Sequence, residues 1–217
     1  MAVATRGELA RDRLRELGLR DIGEARAEHR RVLESLGARQ RLAFAASVAE
    51  RLLRGHEELP EEQRHAFSLT WRPVIDALWR DLTGEEDAFS TASHALGRFY
   101  LSPYQHNDGP DGPSDADEDE AAAAIYAAEC LMHGCVDTAV YAGSRGVDAA
   151  FEQAAISTAR DDVYGVDEFV SQVAHPVVQG ELSRQTDDLK FLVREGVALD
   201  DRDSSAGTTI VQFLRRP

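Results

Sequence analysis

An all-α fold, a multi-helix bundle of about eight to nine helices with at most one short C-terminal strand, is predicted by this 217-residue sequence. Three observations predict it. Apolar residues recur at three- and four-residue steps, glycine or proline closes most periodic segments, and alternating strand patterns are nearly absent.

Thr5 with Glu8 and Asp21 with Glu24 have capping-box spacing, in which the first side chain accepts from an orphan amide and the acid three residues on returns the bond. They open helices over residues 6–17 and 22–36, with Gly18 and Gly37 as stops. The alanine-rich segment 39–55 reads as an amphipathic third helix. Pro60 suits a first helical position, and a periodic pattern runs from there to Leu82. Pro73 interrupts it and predicts a kink or break, because proline cannot donate and disfavours helical geometry at Arg72. Past Gly84 another helix starts with acids in its first turn.

Glycine, proline and aspartate make residues 102–114 a loop. The chain therefore reads as one helical domain over 1–217, or as two packed subdomains, 1–101 and 115–217, joined by that loop. Helices follow at 115–142, 146–160, 166–174 and 176–195, with GSRG at 143–146 as a turn between two of them. Thr208 to Leu214 reads as a short strand or an extended arm.

A chain of this length buries roughly 70 per cent of its unfolded surface, enough for a core without staples. Cys130 and Cys135 lie in what reads as one helix and suit a reducing compartment. No segment approaches the ~20 apolar residues of a membrane span, and no signal peptide is evident, so a cytoplasmic protein is expected. The net charge of −15 argues against nucleic acid. That charge is uneven: residues 1–54 carry 12 basic and 8 acidic side chains, whereas 105–137 carry 9 acidic and no basic ones.

The run from Asn107 to Ala124 concentrates seven acids: Asp108, Asp111, Asp115, Asp117, Glu118, Asp119 and Glu120. As a calcium loop it fails, since Gly109 takes a ligand position and Pro110 and Pro113 stiffen it. Ser114 and the acids after it suit a helix N-terminus. Capping gains little beyond the first turn, so the seven acids are expected also to form a docking edge for a basic partner.

Cys130, His133 and Cys135 match no zinc spacing. Glu129, His133 and Asp137, at steps of four, form either a wet helix face or a row for metal binding or proton transfer; the wet face is the expectation. Glu62 with His65 is half of a di-iron pattern whose second half is missing. No catalytic residue, metal or cofactor is expected. On the last long helix, Gln185 falls amid the apolar stripe of Val178, Leu182, Leu189 and Leu192 with Glu181 at its border, and both are expected to be structural polar groups.

The segment HPVVQGELSRQTDDLKFL, with Pro176, Val178, Glu181 and Gln185, resembles the penultimate conserved helix of the YjaG-type family of uncharacterised helical bacterial proteins. RQRLAFAASVAERLL and VIDALWRDLTG are similar to that family's first two core helices, and DEDEAAAAIYAAEC to its central one. The likeness begins at about Arg39; the helices before it and the polar tail depart from the family. The organisation also resembles the all-helical immunity proteins of bacterial polymorphic toxin systems. That resemblance implies a cytoplasmic inhibitor that binds and neutralises a cognate toxin domain, with an acidic surface suited to a basic nuclease. A homodimer joined through the alanine-rich stripe or the Trp71 and Trp79 face is the alternative.

Overall fold

The structure is a computed structural model and describes residues 5–64, 68–85, 87–101, 115–158, 165–200 and 205–216. Among these residues every regular element is helical. Thr5 opens α1 (Arg6–Glu16) with a complete capping box, and Asp21 opens α2 (Ile22–Ser35) by accepting from the Glu24 amide. Gly18, at φ 68°, reverses the chain between them. Gly37 is not a left-handed stop: at φ −71° it is the extended N-cap of α3 (Ala38–Glu57), and its amide donates to Gln40 Oε1 at 2.7 Å.

Nine consecutive residues of α3, Leu42 to Glu50, are buried, so this helix is surrounded rather than amphipathic. Small side chains make that possible, because alanines at 43, 45, 46 and 49 let neighbouring helices close in on every side. A 3₁₀ turn, Glu61–Gln63, leads to α4 (Ser68–Leu82), which continues through Pro73, so of the expected kink or break the break does not occur. Pro73 is the sixth residue, so one early hydrogen bond is forfeited, while buried Trp71, Val74, Ile75 and Leu78 on both sides hold the helix to the core. Gly84, at φ 88°, precedes α5 (Ala88–Tyr100).

The expected helix over 115–142 is two helices, α6 (Asp115–His133) and α7 (Val136–Thr158), turned at Gly134 with φ 61°. GSRG lies inside α7. Its glycines serve close packing: a Cβ at Gly143 would lie 3.1 Å from a Phe44 ring atom, and one at Gly146 2.8 Å from Val48 Cγ1. Helices α8 (Val166–Ala174) and α9 (Pro176–Glu195) follow, then a 3₁₀ turn, Gly196–Leu199. The expected strand is instead α10 (Ser205–Leu214), whose Gly207, Ile210, Val211 and Leu214 are buried at three- and four-residue steps. Its β-branched residues suggest a strand, but the burial period is that of a helix.

The main core joins residues from Leu33–Phe99 with residues from Ala123–Leu214, and smaller clusters tie α2 to α7 and α9, and α1 to α8. Among the described residues no helix is long and apolar enough to cross a membrane.

Candidate binding cleft

A cleft of about 720 Å³ opens between α3, α7 and α9, with Glu120 of α6 on its wall. Each of the three long helices presents a stripe spaced three, four and seven residues apart. Leu52, Gly55 and His56 with Leu59 just beyond come from α3, Gly146, Ala149, Ala150 and Gln153 from α7, and Val177, Gly180, Glu181 and Arg184 from α9. That spacing puts the four positions of α7 and the four of α9, and three of α3, on one face of each helix over about two turns. Five of these lining residues are glycine or alanine, and a Cβ added at Gly55 or Gly180 would meet nothing within 4 Å. The lining is mostly apolar, and at the rim Ile156 stands 82% exposed.

The polar floor is built on Arg51. Its guanidinium donates to Glu181 Oε1 and Asp188 Oδ2, both at 2.9 Å. Gln185, buried between α7 and α9, donates at 2.8 Å to both the Gly143 carbonyl and Glu181 Oε1, so the amide in the apolar stripe crosslinks two cleft walls. Burial raises the Asp188 carboxyl pKa, and the charges of Arg51, Arg216 and Arg184 only partly oppose it. Burial and then the nearby Arg51 lower the Arg184 guanidinium pKa; Arg184 also donates to the Arg216 carbonyl at 2.6 Å. Beyond the floor, His56 Nδ1 lies 3.3 Å from Glu120 Oε2, both side chains buried.

Behind α9, His29 of α2 meets Thr186 Oγ1 at 2.9 Å, and burial, followed by the charge of Arg20, lowers its pKa to about 4.

Of the seven expected docking acids, Asp108 and Asp111 lie outside the described residues. Asp115, Asp117 and Glu118 fall in the first turns of α6. Asp119 and Glu120 leave the docking edge: they are 2% and 3% exposed, one paired with Arg145 at 2.9 Å and the other with His56. The cause is the helical period, which turns the fifth and sixth residues of α6 toward α7 and α3.

The Glu129, His133 and Asp137 row does not form. Gly134 separates the first two from Asp137, Glu129 accepts from the Tyr100 hydroxyl at 3.3 Å, and Asp137 pairs with Arg30 of α2. Among the described residues no group of three or more His, Cys, Asp or Glu is placed to hold a metal ion. His65 lies outside the described residues. Burial pushes the Cys130 thiol up to about 11, as suits a small core residue. Trp71 and Trp79 are buried within the chain, and of the alanine-rich stripe Ala124, Ala128 and Ala142 are buried while Leu131 and Cys135 are half-buried.

The sequence reading missed the cleft, the His56–Glu120 pair and the Arg51 floor. The small residues Gly146, Ala149 and Ala150 on one helix, and Gly55 and Gly180 within two others, were visible in the sequence; which helices become neighbours was not. No family model, no curated protein and no solved structure matches the chain.

Proposed function

We propose that this chain is an immunity-type binding protein that neutralises a cognate bacterial toxin domain of basic character, contacting it at the start of α6. The observation that supports the reading is the run of acids ahead of Asp119, in a chain several of whose arginines are engaged by its own carboxylates. Arg39 pairs with buried Asp81, Arg51 with Asp188, Arg72 with Glu50 and Arg145 with Asp119, each at 2.9 to 3.1 Å. Each pair cancels one base against one acid, so the chain's net charge of −15 is unchanged by them and rests on its other side chains. Five acids, Asp108, Asp111, Asp115, Asp117 and Glu118, precede Asp119 with no basic residue among them.

Such a surface acts chiefly on the rate of encounter. The test uses the C-terminal domain of whatever secreted protein the adjacent gene encodes. Expressed alone in the cytoplasm the domain arrests growth, and co-expression of this chain restores it. Asp115→Lys, Asp117→Lys and Glu118→Lys together slow association several-fold and flatten its salt dependence. An adjacent domain that arrests growth with or without this chain overturns the proposal.

A further inference from the structure

We infer that the joint where α1 and the first half of α2 rest on α9 is an acid-released clasp, which opens when His29 becomes an imidazolium while the rest of the bundle stays folded. This device lies outside the binding reading and does not depend on it. The joint is built around one hydroxyl. Thr186 of α9 donates its only hydroxyl proton to the Leu182 carbonyl at 2.8 Å, so toward α2 it can only accept. It accepts from the Arg20 guanidinium, and His29 Nε2 lies 2.9 Å from the same oxygen. That nitrogen therefore carries the hydrogen of the neutral ring, and an added proton goes to Nδ1. An imidazolium there would share its acceptor with a guanidinium, two cations on one neutral oxygen in a buried site.

The charges on the surrounding elements do not relieve this. Arg20 belongs to the turn between α1 and α2, and its partner Glu28, on α2 itself, is half exposed. From α9 come the neutral Gln185 and Glu181, and Glu181 is already held by Arg51 of α3 at 2.9 Å. From α7, Asp148 and Asp137 are engaged by Arg26 and Arg30. Burial and then the charge of Arg20 hold the ring down to about 4, which Glu28, Gln185 and Glu181 oppose only in part.

The attachment of this segment is light. Helix α1 buries only Ala10 and Leu14, against Val170 and Val173 of α8, in a cluster separate from the main core. Helix α2 contributes Ala25 to a second small cluster and meets the main core only beyond His29, from Val32 onward. Between the two helices the Arg20 main chain is pinned by the Gln179 amide, which accepts from its N–H at 3.1 Å and donates to its carbonyl at 3.0 Å. So few buried apolar contacts mark a segment able to open on its own.

At neutral pH the ring is uncharged whether the clasp is closed or open. As pH falls below 6.5 the open form protonates first, so acid favours opening, by about twentyfold between pH 7 and 5. Carboxylates, with ordinary values of about 4, stay ionised over that interval, so the ion pairs of the segment are not what changes.

The test is hydrogen exchange of the full chain by mass spectrometry at pH 7 and pH 5, corrected for the intrinsic pH dependence of exchange. Protection over residues 6–29 is expected to fall about twentyfold while that of α3 holds, and His29→Gln removes the fall. An NMR titration of the His29 ring decides the matter if His29→Gln does not fold: the midpoint lies well below 6.5 in the parent and rises in Arg20→Gln. Four outcomes overturn the inference: protection over 6–29 that acid leaves unchanged, an equal loss in α3, a His29→Gln chain with the parent's pH dependence, or a ring that titrates at 6.5 or above.

Discussion

Glu50 and Arg51 are neighbours on α3, and each centres a buried charge network of opposite arrangement. Glu50 is one carboxylate among cations: Arg54 donates at 2.8 Å, Arg72 at 3.0 and 3.1 Å, and the Trp79 indole at 2.8 Å, with Arg215 at 3.5 Å. Arg51 is one cation between two carboxylates, Glu181 and Asp188. Burial works against charge at both Glu50 and Asp188, but the outcome differs. At Glu50 the charges of Arg72 and Arg215 and the Trp79 donor outweigh burial and lower the pKa; at Asp188 burial prevails and raises it. Donor supply explains the contrast, since both Glu50 oxygens are saturated, whereas Asp188 Oδ1 faces Arg216 at 3.2 Å without an aligned hydrogen bond. The Glu50 side locks α3 to α4 and the chain end; the Arg51 side borders the cleft.

Removing the Glu50 charge has the largest expected effect. Glu50→Gln keeps the volume but leaves Arg54, Arg72 and Arg215 around a neutral amide, and breaking a buried pair in this way costs about 3–5 kcal/mol. The urea midpoint measures it. Glu57→Gln removes the other carboxylate on Arg72, but that side chain is partly exposed, and a loss of about 1 kcal/mol or less is expected. Equal losses would erase the distinction between a saturated centre and a rim.

Acid comes next in size and acts on the Arg51 side. His29, lowered by burial and the charge of Arg20 and only partly restored by Glu28, Gln185 and Glu181, has a folded pKa of about 4 against an ordinary 6.5. Above pH 6.5 both folded and unfolded chains hold it neutral. As pH falls from 6.5 toward 4 only the unfolded chain takes up the proton, so stability drops by about 3 kcal/mol across that window. Glu50, with its lowered pKa, contributes stability that persists until pH falls below the ordinary carboxylate range. His29→Gln flattens the fall between pH 6.5 and 4 in chemical unfolding; an unchanged slope would place the acid sensitivity elsewhere.

Asp188→Asn is smaller. Arg51 keeps Glu181, and the replaced carboxylate is one whose charge burial already disfavours, so about 1–2 kcal/mol is expected from the same urea titration. A loss as large as that of Glu50→Gln would show the two networks to be equivalent.

What was legible in the sequence divides along the same line between local and distant. The capping of α1 by Thr5, the separate start of α9 at Pro176 and the buried Gln185 follow from residues within a turn or two of one another. Gly134 and the GSRG glycines look alike in sequence, yet one turns the chain at positive φ and the others fit against Phe44 and Val48, which only the packed structure distinguishes. The burial of Asp119 and Glu120 is not legible locally, because their partners, Arg145 and His56, come from other helices. Arg51 and Asp188 stand 137 residues apart.

The smallest expected effect distinguishes the cleft wall from the interior directly. Gly55→Ala and Gly180→Ala add a methyl group to space that holds nothing within 4 Å, and each removes the excess backbone entropy of a helical glycine. Stabilisation of about 0.5–1 kcal/mol apiece is expected in thermal unfolding. Gly146→Ala, on the α7 wall, places the same methyl group 2.7 Å from Glu181 Oε1 and 2.8 Å from Val48 Cγ1, and has the opposite sign. Opposite signs from one chemical change on one cleft would mark where the chain packs on itself and where its surface is open. If Gly180→Ala were destabilising as well, α9 would have a neighbour at that point, and the wall would not be open there.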